Sequence, residues 1–280
     1  MIQDIAPRAF NNQFQNIKAG PQDLFLAYQA DTVLVRADKE KLWYPSFADF
    51  EPEYPRLADK AQFLFSIDDI NYFLVEGKEV GPKDGWSYVS TNSFRTEPKY
   101  WRAFAGVVGW QLNRWYENHR FCSKCSKPLQ HSEVERMLHC ESCGFRAYPT
   151  ISPCVIVAVH AGNRLLLTKY AGRAYARYAL VAGFAEIGES LEQTVCREVQ
   201  EEVGLKVKNL KFYKSQPWPF TDTLLVGFFA ELDGDDTVTI QEDELALAVW
   251  VDREDIPPAE MNLSLTSEMM EAFRTGCVEL

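Results

Sequence analysis

Apolar and polar residues alternate in short runs through the first 95 positions, as in "DLFLAYQ" (23–29), "DTVLVRA" (31–37) and "INYFLVEG" (70–77). Turn-like clusters separate these runs, and a period of two predicts a mainly β region built from hairpins. Between 97 and 119 the aromatics Trp101, Phe104 and Trp115 recur near helical spacing. That stretch predicts a connecting helix whose tryptophans serve packing. "SPCVIVAVH" (152–160) and "NRLLLTKY" (163–170) read as a hairpin around Ala161-Gly162, and "RYALVAGF" (177–184) as a further strand. More strands are expected near 206–215, 224–232 and 245–251, with a last helix around 264–275. Strands, a helix, more strands and a closing helix predict a layered α+β domain, an α-β-α sandwich.

One helix stands apart by its charge. In "GFAEIGESLEQTVCREVQEEVG" (183–204), Ser190 and Gln193 form a capping box and Gly204 ends the helix. Glu198, Glu201 and Glu202 stand at i, i+3 and i+4, on one face, beside an apolar stripe of Leu191, Val195 and Val199. Arg197 is the helix's single basic residue. Its pairing with Glu201 at i+4 is worth a few tenths of a kcal/mol, too little to offset three neighbouring like charges. A bound cation relieves that repulsion, and an oxygen-only donor set selects a hard ion, Mg2+ or Mn2+. The plain alternative is a solvated acidic face.

Two Cys-x2-Cys pairs, Cys122/Cys125 and Cys140/Cys143, are separated by fourteen residues. Two such knuckles complete a closed tetrahedral Zn2+ shell, which is structural rather than catalytic. Gly144 eases the turn after the second knuckle. His131 and His139 lie in the intervening loop and are bystanders to a shell already filled. Cys154 and Cys196 read as small buried hydrophobes.

Composition narrows the classes. The 280 residues suffice for two domains, and 46% hydrophobic residues supply a core. A net charge of −11 argues against a general nucleic-acid binder. The opening residues lack a secretory-signal pattern and "LLVGFFA" (224–230) is far shorter than a membrane span, so a soluble cytoplasmic protein is expected. The expected division is 1–96 mainly β, 97–120 connecting helix, 121–149 zinc ribbon and 150–280 catalytic domain.

Gly183, Glu189, Arg197, Glu198, Val199, Glu201, Glu202, Gly204 and Leu205 together form a pattern that resembles the Nudix box. "SQPWPF" (215–220), "YPTISPC" and the upstream four-cysteine ribbon are similar to the NADH pyrophosphatases of that superfamily. The resemblance covers residues 97–256, and over 1–95 it is one of size and β pattern only. It implies a Nudix fold, an N-terminal domain that is a degenerate relative of the catalytic one, and a homodimer. It implies hydrolysis of NADH or NAD+ to NMNH or NMN plus AMP, and removal of an NAD cap from RNA to leave a 5′-monophosphate. By the same resemblance Glu198, Glu201, Glu202 and Glu244 hold Mg2+ or Mn2+, and Glu202 is the general base. Glu189 and Arg197 pair in support, and Ala182, Phe184, Gln216, Trp218, Thr223 and Tyr148 meet the substrate. Thr221, Thr223 and the run Ser264-Leu265-Thr266-Ser267 depart from the family pattern and bear on which dinucleotide is preferred. The competing functions are a Nudix hydrolase of other substrates, such as ADP-ribose, and an inactive zinc-ribbon interaction protein.

Overall fold

The structure is a computed structural model that describes residues 1–38, 41–172, 177–259 and 263–278. It divides into two compact units, one of Ile2–Thr150 with Pro219–Thr221, the other of Met1, Ile151–Trp218 and Asp222–Leu280.

In the first unit the alternating runs build a seven-stranded sheet. Its strands are β1 (Phe10–Asn11), β2 (Leu24–Gln29), β3 (Thr32–Asp38), β4 (Lys41–Trp43), β5 (Gln62–Ile67), β6 (Ile70–Glu76) and β7 (Ser87–Ser90). The order is β1-β5-β6-β2-β3-β4, with β7 on β3. One face packs around Phe25, Phe63, Phe73 and Trp86, joined by Phe47 and Phe50 of the short helix α1 (Phe47–Phe50).

The connecting helix α2 runs Tyr100–Asn118. It starts later than 97 because Pro98 biases the residue before it away from helical backbone. Two glycines bring α2 close to the sheet. A Cβ on Gly109 would fall 2.2 Å from Leu26 Cδ1, and one on Gly106 2.3 Å from the Tyr44 hydroxyl. The Tyr28 hydroxyl donates to Gly106 O at 2.6 Å. At its far end Trp115 is buried with Cys122, Leu129, Leu138, Cys140 and Ala147 in a small core of the ribbon. The ribbon's strands β8 (Gln130–His131), β9 (Leu138–His139) and β10 (Arg146–Ala147) form an antiparallel sheet.

The second unit is the expected sandwich. Strands β11 (Ser152–Ala161), β12 (Arg164–Tyr170), β13 (Val181–Phe184), β14 (Val207–Trp218), β15 (Thr223–Leu232) and β16 (Leu245–Asp252) make a mixed sheet in the order β14-β15-β11-β12-β16, with β13 on β11. Alternate residues of β11 serve opposite layers. Val155, Val157 and Val159 face a core shared with Val195, Val199 and Val203 of α3 (Leu191–Val203). Cys154, Ile156 and Ala158 face one shared with Leu265, Met269 and Phe273 of α4 (Leu265–Thr275). The β11–β12 hairpin turns at Gly162, whose φ is +59°. The strand expected over 177–184 is regular only from Val181, preceded by a bridge between Ala179 and Thr168. Among the described residues no helix is long and apolar enough to cross a membrane.

Replacing Gly109 with alanine forces α2 off the first sheet. Denaturant titration is expected to show a loss of about 1–3 kcal/mol, the usual range for overpacking.

Candidate active site

The glutamate helix begins as its sequence dictates. Ser190 accepts from the Gln193 backbone, Gln193 returns a bond to the Ser190 backbone, and Gly204 closes the helix at φ +71°. Burial of Val195, Val199 and Val203 presses α3 onto the sheet and carries the adjoining carboxylates inward. Glu202 is 2% exposed and Glu198 9% exposed, whereas the Glu201 side chain is 52% exposed.

Arg197 gathers this edge of the helix. Its Nε donates to Glu189 Oε1 at 2.7 Å and its Nη2 to Glu189 Oε2 at 2.9 Å. Nη2 also donates to Phe184 O at 2.9 Å. Nη1 donates to Glu198 Oε1 at 2.7 Å and to Glu201 Oε2 at 2.9 Å. Glu189 further accepts from the Thr194 hydroxyl at 3.0 Å and the Glu186 N–H at 3.1 Å. The Arg197 guanidinium chiefly, with those two donors, holds the Glu189 carboxyl down to about 2.

Strand β13 forms the other wall. A Cβ on Gly183 would lie 1.9–2.2 Å from the carboxyl atoms of Glu198, so only glycine leaves room for that group. The Ala182 backbone donates to Glu202. The other oxygen of Glu202, Oε2, is buried with no hydrogen-bond partner. Burial first, then the charges of Glu198 and Glu244, push the Glu202 carboxyl up to about 8. Burial also raises Glu198, against the opposing pull of Arg197. Glu244 is exposed and reaches both buried carboxyls through its charge.

This arrangement fits a hard divalent cation. A buried carboxylate oxygen without a donor, beside a second desolvated carboxylate, is a costly arrangement for the protein alone and a natural one for an oxygen-ligated ion. Glu198, Glu202 and Glu244 interact through charge, and Glu201, which also raises Glu198 through its charge, is turned outward to Arg197.

The ribbon cysteines form a separate centre in the first unit. Their sulfurs all lie within 4.8 Å of one another, with Cys122 Sγ 3.5 Å from Cys143 Sγ and Cys125 Sγ 3.4 Å from Cys140 Sγ. Those spacings are far longer than a disulfide bond and near the ~3.8 Å edge of a tetrahedron with Zn–S distances of ~2.3 Å. Each knuckle closes with a residue at positive φ, Ser126 at +61° and Gly144 at +71°. Both histidines stay outside the four-sulfur group, and His131 stacks on Tyr116.

The residues expected to meet substrate part company. Phe184 is 54% exposed at the end of β13, and Ala182 is half-buried on the same strand. Trp218 is half-buried against the α4 core. Gln216 departs from expectation. It is fully buried, and its amide donates to Leu263 O at 3.1 Å and accepts from Leu265 N at 2.6 Å. These bonds fasten β14 to the start of α4. Thr223 is 4% exposed, with its hydroxyl 3.5 Å from Trp218 O. Tyr148 belongs to the first unit, where its hydroxyl donates to Glu135 at 3.2 Å. Cys196, expected to be buried, is exposed on α3, while Cys154 is buried. Sequence reasoning missed Thr194, whose buried hydroxyl steadies Glu189. Its place one turn after Glu189 is the only local signal.

Comparison with known proteins adds to this geometry. A NUDIX domain model matches residues 150–273, and an NADH pyrophosphatase zinc ribbon domain model matches 117–148. A Pseudomonas putida protein named NAD-capped RNA hydrolase NudC is 36% identical over 210 residues, 73% of this chain and 75% of that protein. A Salmonella schwarzengrund protein of the same name is 44% identical over 149 residues, 53% of this chain and 58% of its own length. A solved NUDIX hydrolase from Nitrosomonas europaea aligns with 56% of this chain and 90% of its own, at 23% identity and a TM-score of 0.48. The Pseudomonas putida relative, of which the chain covers 75%, shows the family.

Two measurements follow from the two centres. Stripping zinc with a chelator is expected to lower the melting temperature, with recovery on adding Zn2+ but not Mg2+, since a four-thiolate site couples metal binding to folding. An unchanged melt with zinc gone removes the structural role. Separately, Glu202 holds its proton more tightly when folded than when unfolded. Its contribution to stability is full below about 4.5 and is lost as pH rises through about 8. Zinc-loaded protein without Mg2+ or Mn2+ is expected to melt at falling temperature across that window, and Glu202→Gln to flatten the slope.

Proposed function

The chain belongs to the NUDIX family, and we propose that it hydrolyses the pyrophosphate bond of NADH or NAD+ to NMNH or NMN plus AMP, and removes the NAD cap from RNA to leave a 5′-monophosphate. The observation that carries this reading is the buried, donorless Glu202 Oε2 beside the desolvated Glu198. The names of the relatives from Pseudomonas putida and Salmonella schwarzengrund support the substrate class.

Glu198, Glu201, Glu202 and Glu244 are the residues that would hold Mg2+ or Mn2+. Such an ion, when bound, neutralises phosphate oxygens and makes water a better nucleophile at neutral pH. Glu202 takes the proton of the attacking water at Oε2. Burial makes it a stronger base than a solvated carboxylate and matches its proton affinity to neutral pH. Arg197 and Glu189 keep the end of β13 fixed against α3, so that Phe184 leaves the strand in a constant direction. Phe184 and Trp218 supply the flat apolar surfaces that flank a base. The Zn2+ in the ribbon is structural and takes no part in turnover.

The net charge of −11 favours recognition of the cap itself over an extended run of RNA. A cytoplasmic setting agrees with seven free cysteines. A homodimer belongs to the same proposal and is read by sedimentation. The hydroxyls at Thr221 and Thr223 bear on the choice among dinucleotides, so ADP-ribose belongs in the substrate panel.

Glu202→Gln is expected to fold, keep its zinc and lose about 10²–10⁴-fold in turnover, the usual scale for a missing general base. Full turnover in that variant removes Glu202 as the base, and no turnover in the wild type would favour an interaction protein. Product analysis on NADH, NAD+, ADP-ribose and NAD-capped RNA side by side checks specificity. Absence of AMP from NADH and NAD+ overturns the assignment.

A further inference from the structure

Of the glutamates that would hold the hard cation, Glu244 alone lies outside α3. It is exposed, and it follows a run, 233–243, that is neither helix nor strand. A side chain placed there is held only as well as its backbone. The run is fastened early at Asp236, whose carbonyl accepts from Trp250 Nε1 at 2.9 Å and whose carboxylate accepts from Arg164 Nη2 at 2.8 Å. Val238 and Ile240 then pack, half-buried, on the core beneath α3. The N–H of Thr239 donates to Val203 O at 3.0 Å, and that of Gln241 to Glu202 O at 3.0 Å. The last carbonyls of a helix have no partner within it, so this run caps α3 from outside.

Gln241 is tied forward as well. Its carbonyl accepts from Glu244 N at 3.1 Å and from Leu245 N at 2.9 Å, which closes one turn. Its side-chain Nε2 lies 3.5 Å from Glu244 Oε1, long for a hydrogen bond but directed at the carboxylate. Glu244 O accepts from Ala171 N, just past β12, at 2.8 Å. The charge of Glu244 raises both Glu198 and Glu202, so its carboxylate acts within the reach of theirs.

We infer that Gln241 is a positioning residue for the cation site, joining the backbone of Glu202 to that of Glu244 and so setting the two carboxyls against each other. One residue makes both joins, with its N–H on Glu202 and its carbonyl on Glu244. Ligands far apart in sequence need such support, because an exposed glutamate that is free to wander gives up entropy when it binds. Gln241 needs no contact with the ion or the substrate for this.

The inference rests on Glu244 holding the cation, and the test separates the two ideas. Zinc-loaded full-length protein is titrated with Mn2+ in the absence of substrate, with free Mn2+ read by electron paramagnetic resonance. The proteins are wild type, Gln241→Pro, Gln241→Ala, Glu244→Gln and the Gln241→Ala/Glu244→Gln double variant. Gln241→Pro lacks the N–H to Glu202 O and is expected to weaken Mn2+ binding about tenfold, as losing a ligand's support does. Gln241→Ala keeps the backbone bonds and weakens binding about threefold, the scale of one modest hydrogen bond. It decides alone where Gln241→Pro does not fold. In the Glu244→Gln background Gln241→Ala adds little, because both act through one carboxylate. Weakened binding in Glu244→Gln with wild-type binding in the Gln241 variants overturns the inference and leaves the cation site standing. So do fully additive losses in the double variant, which mark a merely structural glutamine. Wild-type binding in Glu244→Gln sinks both.

Discussion

A guanidinium has five N–H groups, and Arg197 has a partner for each of them. Two go to Glu189, one to Glu198, one to Glu201 and one to the Phe184 carbonyl. Every piece of the acidic edge meets at this fork: the end of β13 at Phe184, the residue just before the α3 N-cap at Glu189, and the face of α3 itself. A lysine supplies one point of charge and three donors without the planar fork, so it cannot make the same join. The balance of the site follows. One cation offsets three carboxylates in part, and Glu202, buried and without a bond from Arg197, relieves the remainder by holding its proton up to about 8.

Two buried carboxyls are tolerable because the fold holds them from behind. Val195, Val199 and Val203 are buried in the layer under α3, on the same sheet whose β13 strand carries Gly183. Apolar burial of the stripe stabilises each of these side chains by roughly 1.5–3 kcal/mol, enough to keep two unlike-solvated glutamates out of water. The ribbon in the other unit shows the opposite economy of scale. Its core is Trp115 from α2, two of the cysteines and three small or medium apolar side chains. A core that small does not sustain a fold by burial alone, which is why its four thiols converge.

Local signals were legible in the chain and distant ones were not. The capping box at Ser190, the stop at Gly204 and the two knuckles lie within a few residues of each other, so spacing alone reveals them. The apolar run at 152–160 announced the strand β11, whose two faces α3 and α4 cover. Gln216 illustrates the limit. Its motif pointed to a ligand, yet its partners Leu263 and Leu265 lie nearly fifty residues on, and only the fold brings them together. Cys196 failed differently. It stands next to Val195 in sequence, but a step of 100° around the helix turns it out to solvent. The connecting helix lost its first turn to Pro98, a stop that outweighs the aromatic spacing behind it.

Glu201 and Glu202 are neighbours of identical chemistry, and no sequence argument from composition or helix face separates them. Their surroundings do. Glu201 is more than half exposed and is paired with Arg197. Glu202 is enclosed, faces the charges of Glu198 and Glu244, and has one oxygen with no donor at all. A base that works near neutral pH needs raised proton affinity and an oxygen free to receive the proton. Glu202 has both, enclosed against β13 where the Ala182 N–H donates to it, with its Oε2 left free of any donor.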